Sequence, residues 1–282
     1  MKYIDAVTGS IISALFFGVL AIYIHGVGST SIVETILTIS SFLFAIFSGF
    51  FISRLNDRYS TMRSLVSDED AYFFSLFKMA KVFGEPFANK ISDAIDDYYI
   101  ASFEGDLNNY DYAYKGTMLQ FNNIYDVIYG LKAHSVSSTY ANMFATLQSI
   151  EEVRNKNSTI AKEKLTNGQW IVLISLVAII LFCLFYISTN QLFFQLLIVM
   201  LSAMLVLVLL TIRDLQYLRL GGKIIPVLES GQELLESIGK LRYYKEQWLE
   251  SGTVEIPNNI KKYRLGLHSP GEKARIKVIV VE

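Results

Sequence analysis

The chain has 282 residues, 52% of them hydrophobic, with 25 Lys and Arg against 26 Asp and Glu and a formal net charge of -1. So balanced a charge argues against a nucleic-acid binder. The lone cysteine, Cys183, excludes an intramolecular disulfide framework and offers no cysteine metal cluster.

Charge is absent from three long stretches: Ala6 to Ile24, Thr35 to Ser53, and Trp170 to Ile212. A bilayer core of about 30 Å takes roughly 20 helical residues. The first two stretches span once each, and the third spans twice, split at Ser188-Thr189-Asn190. The expectation is a membrane protein of four transmembrane helices. Basic residues set its orientation: Lys2 precedes the first span, Arg54, Arg58 and Arg63 follow the second, Lys156, Lys162 and Lys164 precede the third, and Arg213, Arg219 and Lys223 follow the fourth. The two short loops carry no Lys or Arg. Both termini and the segment from Arg54 to Gln169 are therefore expected in the cytoplasm, with the chain in the cytoplasmic (inner) membrane. No cleaved signal peptide is expected, because a second apolar span follows closely without a small-residue cleavage site.

The expected organisation is a first transmembrane hairpin over 6–53, a cytoplasmic helical domain over 54–169, a second hairpin over 170–212, a helical extension over 213–250 and a β-prone tail over 251–282. The first span carries Gly9, Ser10, Ser13, Ala14, Gly18 and Ala21, small residues that allow close helix approach in lipid. In the second, helical spacing stacks Ile39, Leu43, Phe47 and Phe51 on one face, and sets Ser41, Phe44 and Ser48 on another. Such a face serves either as lipid contact and bundle core or, repeated about an axis, as a hydrophobic constriction. No span holds a charged side chain, which argues against a proton relay or ion-coupled pump.

Past the second span the pattern stays helical. A continuation is predicted over Arg54 to Phe83, broken at Gly84-Glu85-Pro86, then helices over Phe87 to Phe103, Tyr112 to Leu131 and Ser138 to Lys164, with a polar turn near Gly105 to Asp111. A further helix is predicted from Pro226 to about Glu250 after a stop at Gly221-Gly222, then short strands at Thr253-Val254-Glu255-Ile256 and Ala274 to Val281, with turns at Pro257 and Ser269-Pro270-Gly271. Tyrosines gather in the cytoplasmic part, including Tyr98, Tyr99, Tyr110, Tyr112, Tyr114, Tyr125 and Tyr129, and suit helix and subunit interfaces.

Chemistry-bearing motifs are sparse. There is no phosphate-binding glycine loop, nucleophile elbow, zinc-protease helix or calcium loop, and no enzyme activity or cofactor is expected. His25, His134 and His268 lack ligand spacing and are expected at surfaces or interfaces. Two acidic runs, Asp68, Glu69 and Asp70, and Asp93, Asp96 and Asp97, mark where a hard cation would bind, against the alternative of solvated surface.

The layout of two apolar hairpins around a helical middle resembles the bestrophin-like family. The segment Ser53-Arg54-Leu55-Asn56-Asp57-Arg58-Tyr59 resembles that family's Phe-Arg-x-Asn-x-x-Tyr junction through Arg54, Asn56 and Tyr59, with Ser53 in place of the aromatic residue and the following arginine displaced. The resemblance implies an all-α membrane fold and a homo-oligomeric, pentameric channel for small inorganic ions, conducting anions. The neck would lie on the second span at Leu43, Ile46, Phe47, Phe50 and Phe51, with Ser41 and Ser48 easing passage and Arg54 and Arg58 at the cytoplasmic mouth. The rival reading is a non-conducting membrane scaffold or sensor that binds a protein partner through its cytoplasmic surface. Lipid and further copies of the chain are the partners expected on the first reading.

Overall fold

The computed structural model describes residues 4–24, 26–105, 114–131, 137–220, 223–224, 227–252, 254–268 and 275–281. Among them, four helices are long and apolar enough to cross a membrane. They are α1 (Ala6–Tyr23), α2 (Ser31–Lys81), α6 (Asn167–Ile187) and α7 (Leu192–Gln216). The chain is a multi-pass membrane protein. At 51 residues, α2 is roughly 75 Å long, more than twice the thickness of a bilayer core. Its charge-free part, Thr35 to Ser53, fits the lipid, and the remainder extends beyond it.

Local chemistry sets the helix ends. Asp5 caps α1 by accepting the Thr8 N–H at 3.2 Å. Thr166 and Gln169 form a reciprocal capping box at the start of α6. Gly84, at φ +97°, turns the chain between α2 and α3 (Glu85–Glu104), where Pro86 occupies the first turn. The remaining elements are α4 (Met118–Tyr129), α5 (Ser138–Ala161), β1 (Arg219–Leu220), β2 (Lys223–Ile224), α8 (Val227–Ser237), β3 (Tyr243–Lys245), α9 (Glu246–Glu250), β4 (Lys262–Gly266) and β5 (Ile276–Val280).

The chain divides into two compact units, residues 1–59 with 164–223, and residues 60–163 with 224–282. In the first, α1 packs along α7. The small residues at the start of α1 serve this contact: a Cβ on Gly9 would meet Leu210 Cδ1 at 2.5 Å, and Ser10 Oγ donates to the Ala203 carbonyl at 3.2 Å. The core joins Phe44, Phe51 and Leu55 of α2 to Leu173, Val177 and Ile180 of α6 and Ile198, Ile212 and Leu215 of α7. The loop between α1 and α2 also meets the end of α6. Val27 and Gly28 N–H donate to the Tyr186 carbonyl at 3.0 and 3.3 Å.

The second unit is built on an aromatic and aliphatic core of Phe73, Leu76, Ile91, Ile95, Tyr98, Tyr99, Phe121, Ile124, Ile128, Met143, Leu147 and Leu235. Its sheet has the order β3-β4-β5, with β3 parallel and β5 antiparallel to β4. Tyr244, Ile260 and Tyr263 form a second cluster, against which Ile279 of β5 packs.

The predicted tail differs in three places. The helix after residue 226 stops at Ser237, where Gly239 adopts φ +84°, and Tyr243–Lys245 is a strand. Val254 to Ile256 is not a strand, because Val254 and Ile256 are drawn into the apolar clusters instead. The Ala274 to Val281 strand is realised as β5, and its partner is the unpredicted β4. Expectations resting on Lys2, His25, 106–113, His134, Gly221, Gly222, Pro226, Thr253 and 269–274 lie outside the described residues.

Candidate functional site

The face that α2 turns into its own unit follows a regular helical stripe: Ser40, Phe44, Ser48, Phe51, Leu55 and Arg58 are all buried. About a third of a turn around the helix lies a second stripe of Ile39, Leu43, Ile46 and Phe50, exposed at 55%, 38%, 50% and 61%. Ser53, Arg54 and Asp57 continue it past the apolar segment and are exposed as well.

The predicted neck residues therefore divide. Leu43, Ile46, Phe47 and Phe50 point away from the protomer, whereas Phe51 is 4% exposed and lies among Phe44, Leu55 and the α6 and α7 side chains. Phe47 sits on the border, with its ring stacked on Phe51 at 6.2 Å between centroids. Of the two serines, Ser48 is buried and donates to the Ala45 carbonyl, while Ser41 is half-buried. Arg54 is exposed, but Arg58 is turned inward and donates to the Gln216 carbonyl at 3.0 Å. Asn56 is exposed and Tyr59 half-buried. Gln216 ties this end of the unit together, since its side-chain oxygen accepts from Leu165 N–H at 3.2 Å and Trp170 Nε1 at 3.0 Å.

The acidic runs are not gathered into a cation site. Among the described residues, no group of three or more His, Cys, Asp or Glu is arranged to hold a metal ion. Asp96 is held bidentately by Arg264, with both oxygens at 2.6 Å, and Asp93 pairs with Lys240. Asp97 and Asp68 are exposed. Partial loss of solvent around its carboxyl, and then the neighbouring Asp96 and Asp93 charges, raise the Asp97 pKa against the Lys240 and Arg264 charges. Glu69 accepts from the Tyr98 hydroxyl at 2.5 Å, and Asp70 accepts from Tyr99.

These last pairs belong to a buried network that the sequence did not disclose. Burial pushes the Asp70 carboxyl up to about 7; hydrogen bonds from Ser230 and Tyr99 oppose the shift, and the Glu69 and Glu233 charges add to it. Burial raises Glu69 as well, against the Tyr98 hydroxyl and Arg154. Tyr98 and Tyr99 are driven well above the usual phenol range by burial and by these carboxylates. Arg154, 3% exposed, stacks on Phe121, Tyr98 and Tyr114 at 4.1, 5.1 and 5.3 Å and donates to Thr117 Oγ1 and the Tyr114 carbonyl. A second cluster surrounds Glu104, which meets the Tyr243 hydroxyl, Lys245 Nζ at 3.7 Å and His268 Nε2 at 3.5 Å. His268, expected at a surface or interface, is buried, because Glu104 and the Arg275 N–H satisfy its two nitrogens. A period-based reading marks Glu69, Asp70, Glu104 and Arg154 as polar and hence as surface, and nothing local in the sequence reveals their partners.

Four apolar helices with a helical extramembrane part, one of the spans continuing far beyond the lipid, define a multi-pass membrane protein of the bestrophin type. The profile of the Bestrophin-like domain family matches residues 9–217, and the chain belongs to that family. No curated protein matches the sequence. Among solved structures, the chain is similar to variants of a bacterial bestrophin homologue from Klebsiella pneumoniae. One shares 13% identity over 83% of this chain and 97% of its own, with a TM-score of 0.62. Another shares 14% over 83% and 96%, with a TM-score of 0.63. The structure of that homologue phased on zinc shares 13% over 87% and 98%, with a TM-score of 0.60. At this identity the likeness shows the fold.

Proposed function

We propose that this chain is the subunit of a homo-oligomeric ion channel in the cytoplasmic membrane, its copies arranged as a ring, five as the bestrophin resemblance implies, with α2 facing the central path. The observation that carries the reading is the outward stripe of Ile39, Leu43, Ile46 and Phe50, which the protomer leaves uncovered and which leads directly to Arg54. Repeated around an axis, such side chains narrow a path and gate it by dewetting. Beyond the narrow part, Arg54 supplies a positive field that favours anions at the mouth, which the orientation rule puts on the cytoplasmic side. Phe51 and Ser48 support the wall from behind, and Arg58 anchors the end of the span.

The test is flux in proteoliposomes carrying Ile46→Ala plus Phe50→Ala. Widening the stripe raises conductance, while Phe51→Ala alone lowers stability first, since it opens a cavity in the unit's own core. Arg54→Glu shifts the anion-to-cation permeability ratio toward cations. Unchanged flux in a correctly assembled Ile46→Ala plus Phe50→Ala protein rejects the constriction.

A further inference from the structure

The two edges of the β3-β4-β5 sheet are treated differently. On the outer side of β3, the Gln232 side chain acts as a substitute strand. Its Oε1 accepts the Tyr243 N–H at 2.7 Å, and its Nε2 donates to the Tyr243 carbonyl at 2.5 Å. That edge is closed. On the other side, β5 has β4 as its neighbour, and no strand among the described residues pairs with its outer edge.

The register shows which groups the open edge presents. Leu267 N–H donates to the Arg275 carbonyl at 2.9 Å, and Val281 N–H donates to the Lys261 carbonyl at 2.8 Å. Backbone groups of alternate residues point to the same side of an antiparallel strand. Residues 275, 277, 279 and 281 therefore face β4, and the N–H and C=O groups of Ile276, Val278 and Val280 face outward. The side chains of these three residues share one face of the sheet and are 39%, 47% and 66% exposed. An uncovered β-branched edge of this kind is a template for another strand.

Charge selects the occupant. Residues 261–268 and 275–281 contain Lys261, Lys262, Arg264, Arg275 and Lys277 and no Asp or Glu. Arg264 is committed to Asp96, while Lys261, Lys262 and Lys277 are exposed. A second copy of β5 in antiparallel register, with outward groups bonded to outward groups, would centre on Val278. It would set Lys277 diagonally across from its own counterpart and double the positive charge of the patch. A strand of opposite sign suffers neither penalty. The edge also lies outside residues 9–217, the part shared with the family.

We propose that β5 is a docking edge for an extended acidic segment of a partner protein, one that alternates apolar and acidic residues. The segment adds as a fourth strand, with its main chain bonded to Ile276, Val278 and Val280 and its carboxylates on the face of the sheet that carries Lys277 and Lys261.

The test uses the full chain in detergent and two fluorescent synthetic peptides as long as β5, one alternating valine with glutamate and the other valine with lysine. The glutamate peptide binds saturably and more weakly as salt is raised, and the lysine peptide does not bind. Val278→Pro removes one outward N–H and none of the bonds to β4, and lowers the affinity roughly tenfold. Lys277→Glu weakens the binding without altering the backbone, which keeps the test decisive if the proline variant loses the sheet. Equal binding of both peptides, or undiminished binding by Lys277→Glu, overturns the proposal. So does efficient cross-linking of Val278→Cys between two copies of the chain, which would identify the occupant as a second β5.

Discussion

Asp70 offers the sharpest physical test of the extramembrane unit. Its carboxyl is 8% exposed, accepts from Tyr99, and has Glu69 and Glu233 as negative neighbours. Its pKa rises from 3.8 in the unfolded chain to about 7 in the folded one. A raised carboxylate pKa means that the folded state holds the proton more tightly than the unfolded state. The resulting stability is complete below about pH 4 and is lost progressively as pH rises to about 7, then stays flat. About three pH units at 1.36 kcal/mol each give a cost of about 4 kcal/mol for the ionised group at pH 8. Asn in place of Asp keeps the oxygen that accepts from Tyr99 and cannot ionise. Asp70→Asn should therefore match the parent near pH 4 and exceed it by about 4 kcal/mol at pH 8, roughly 8–16 °C in thermal midpoint for a unit of this size. Thermal unfolding in detergent from pH 4 to 8 reads the difference, and repeating the comparison in a Glu69→Gln background removes the coupled titration of the neighbouring carboxyl. A gap that is constant across this range refutes the reasoning, since it would mean that Asp70 ionises in the folded protein as easily as in water.

Other expectations follow from contacts in both units. Gly26→Ala places a Cβ within 2.7 Å of the Phe185 and Ser188 carbonyl oxygens, so it should cost about 1–3 kcal/mol by overpacking and lower the thermal midpoint. Asp96→Ala leaves the Arg264 guanidinium partly buried, with the Leu241 carbonyl as its remaining acceptor among the described residues. The expected loss is about 3–5 kcal/mol, and Asp96→Leu combined with Arg264→Met should lose much less, both read by denaturant or thermal unfolding. Gln232→Leu unpairs the Tyr243 N–H and C=O, at about 1–3 kcal/mol for each group, and should speed amide exchange at Tyr243 more than at the α3 amides.

The spans and extramembrane helices were legible because their signals are local and redundant. A charge-free run of bilayer length can be read without knowing its neighbours, and Gly84 with Pro86 broke the chain where the period-based reading placed the break. The tail was harder because competing local signals were decided by tertiary contacts. Thr253 to Ile256 carries β-branched residues, yet Val254 and Ile256 pack into the apolar clusters instead of joining a ladder. Tyr243–Lys245 follows a helical pattern closely enough to have been read as its continuation. It is a strand because β4 supplies one edge and Gln232 the other.

Within the second span, helical spacing identified stripes but not which of them the bundle covers. In water a hydrophobic stripe points to the core, whereas in lipid both inward and outward faces are apolar, so hydrophobicity loses its direction. Phe47 and Phe51 are neighbours on the helix, and the boundary between covered and uncovered surface runs between them. The clue in the sequence was polarity rather than aromatic content. Ser40 and Ser48, two turns apart, avoid the hydrocarbon and mark the inward face. Extending their stripe by helical spacing leads through Phe44, Phe51 and Leu55 to Arg58, whose charge would be costly in lipid but is met here by the Gln216 carbonyl. Once that face is assigned to the protomer, the proposed channel would have to use an uncovered face of α2, and on that proposal Leu43, Ile46 and Phe50 would form its wall, leading to Arg54.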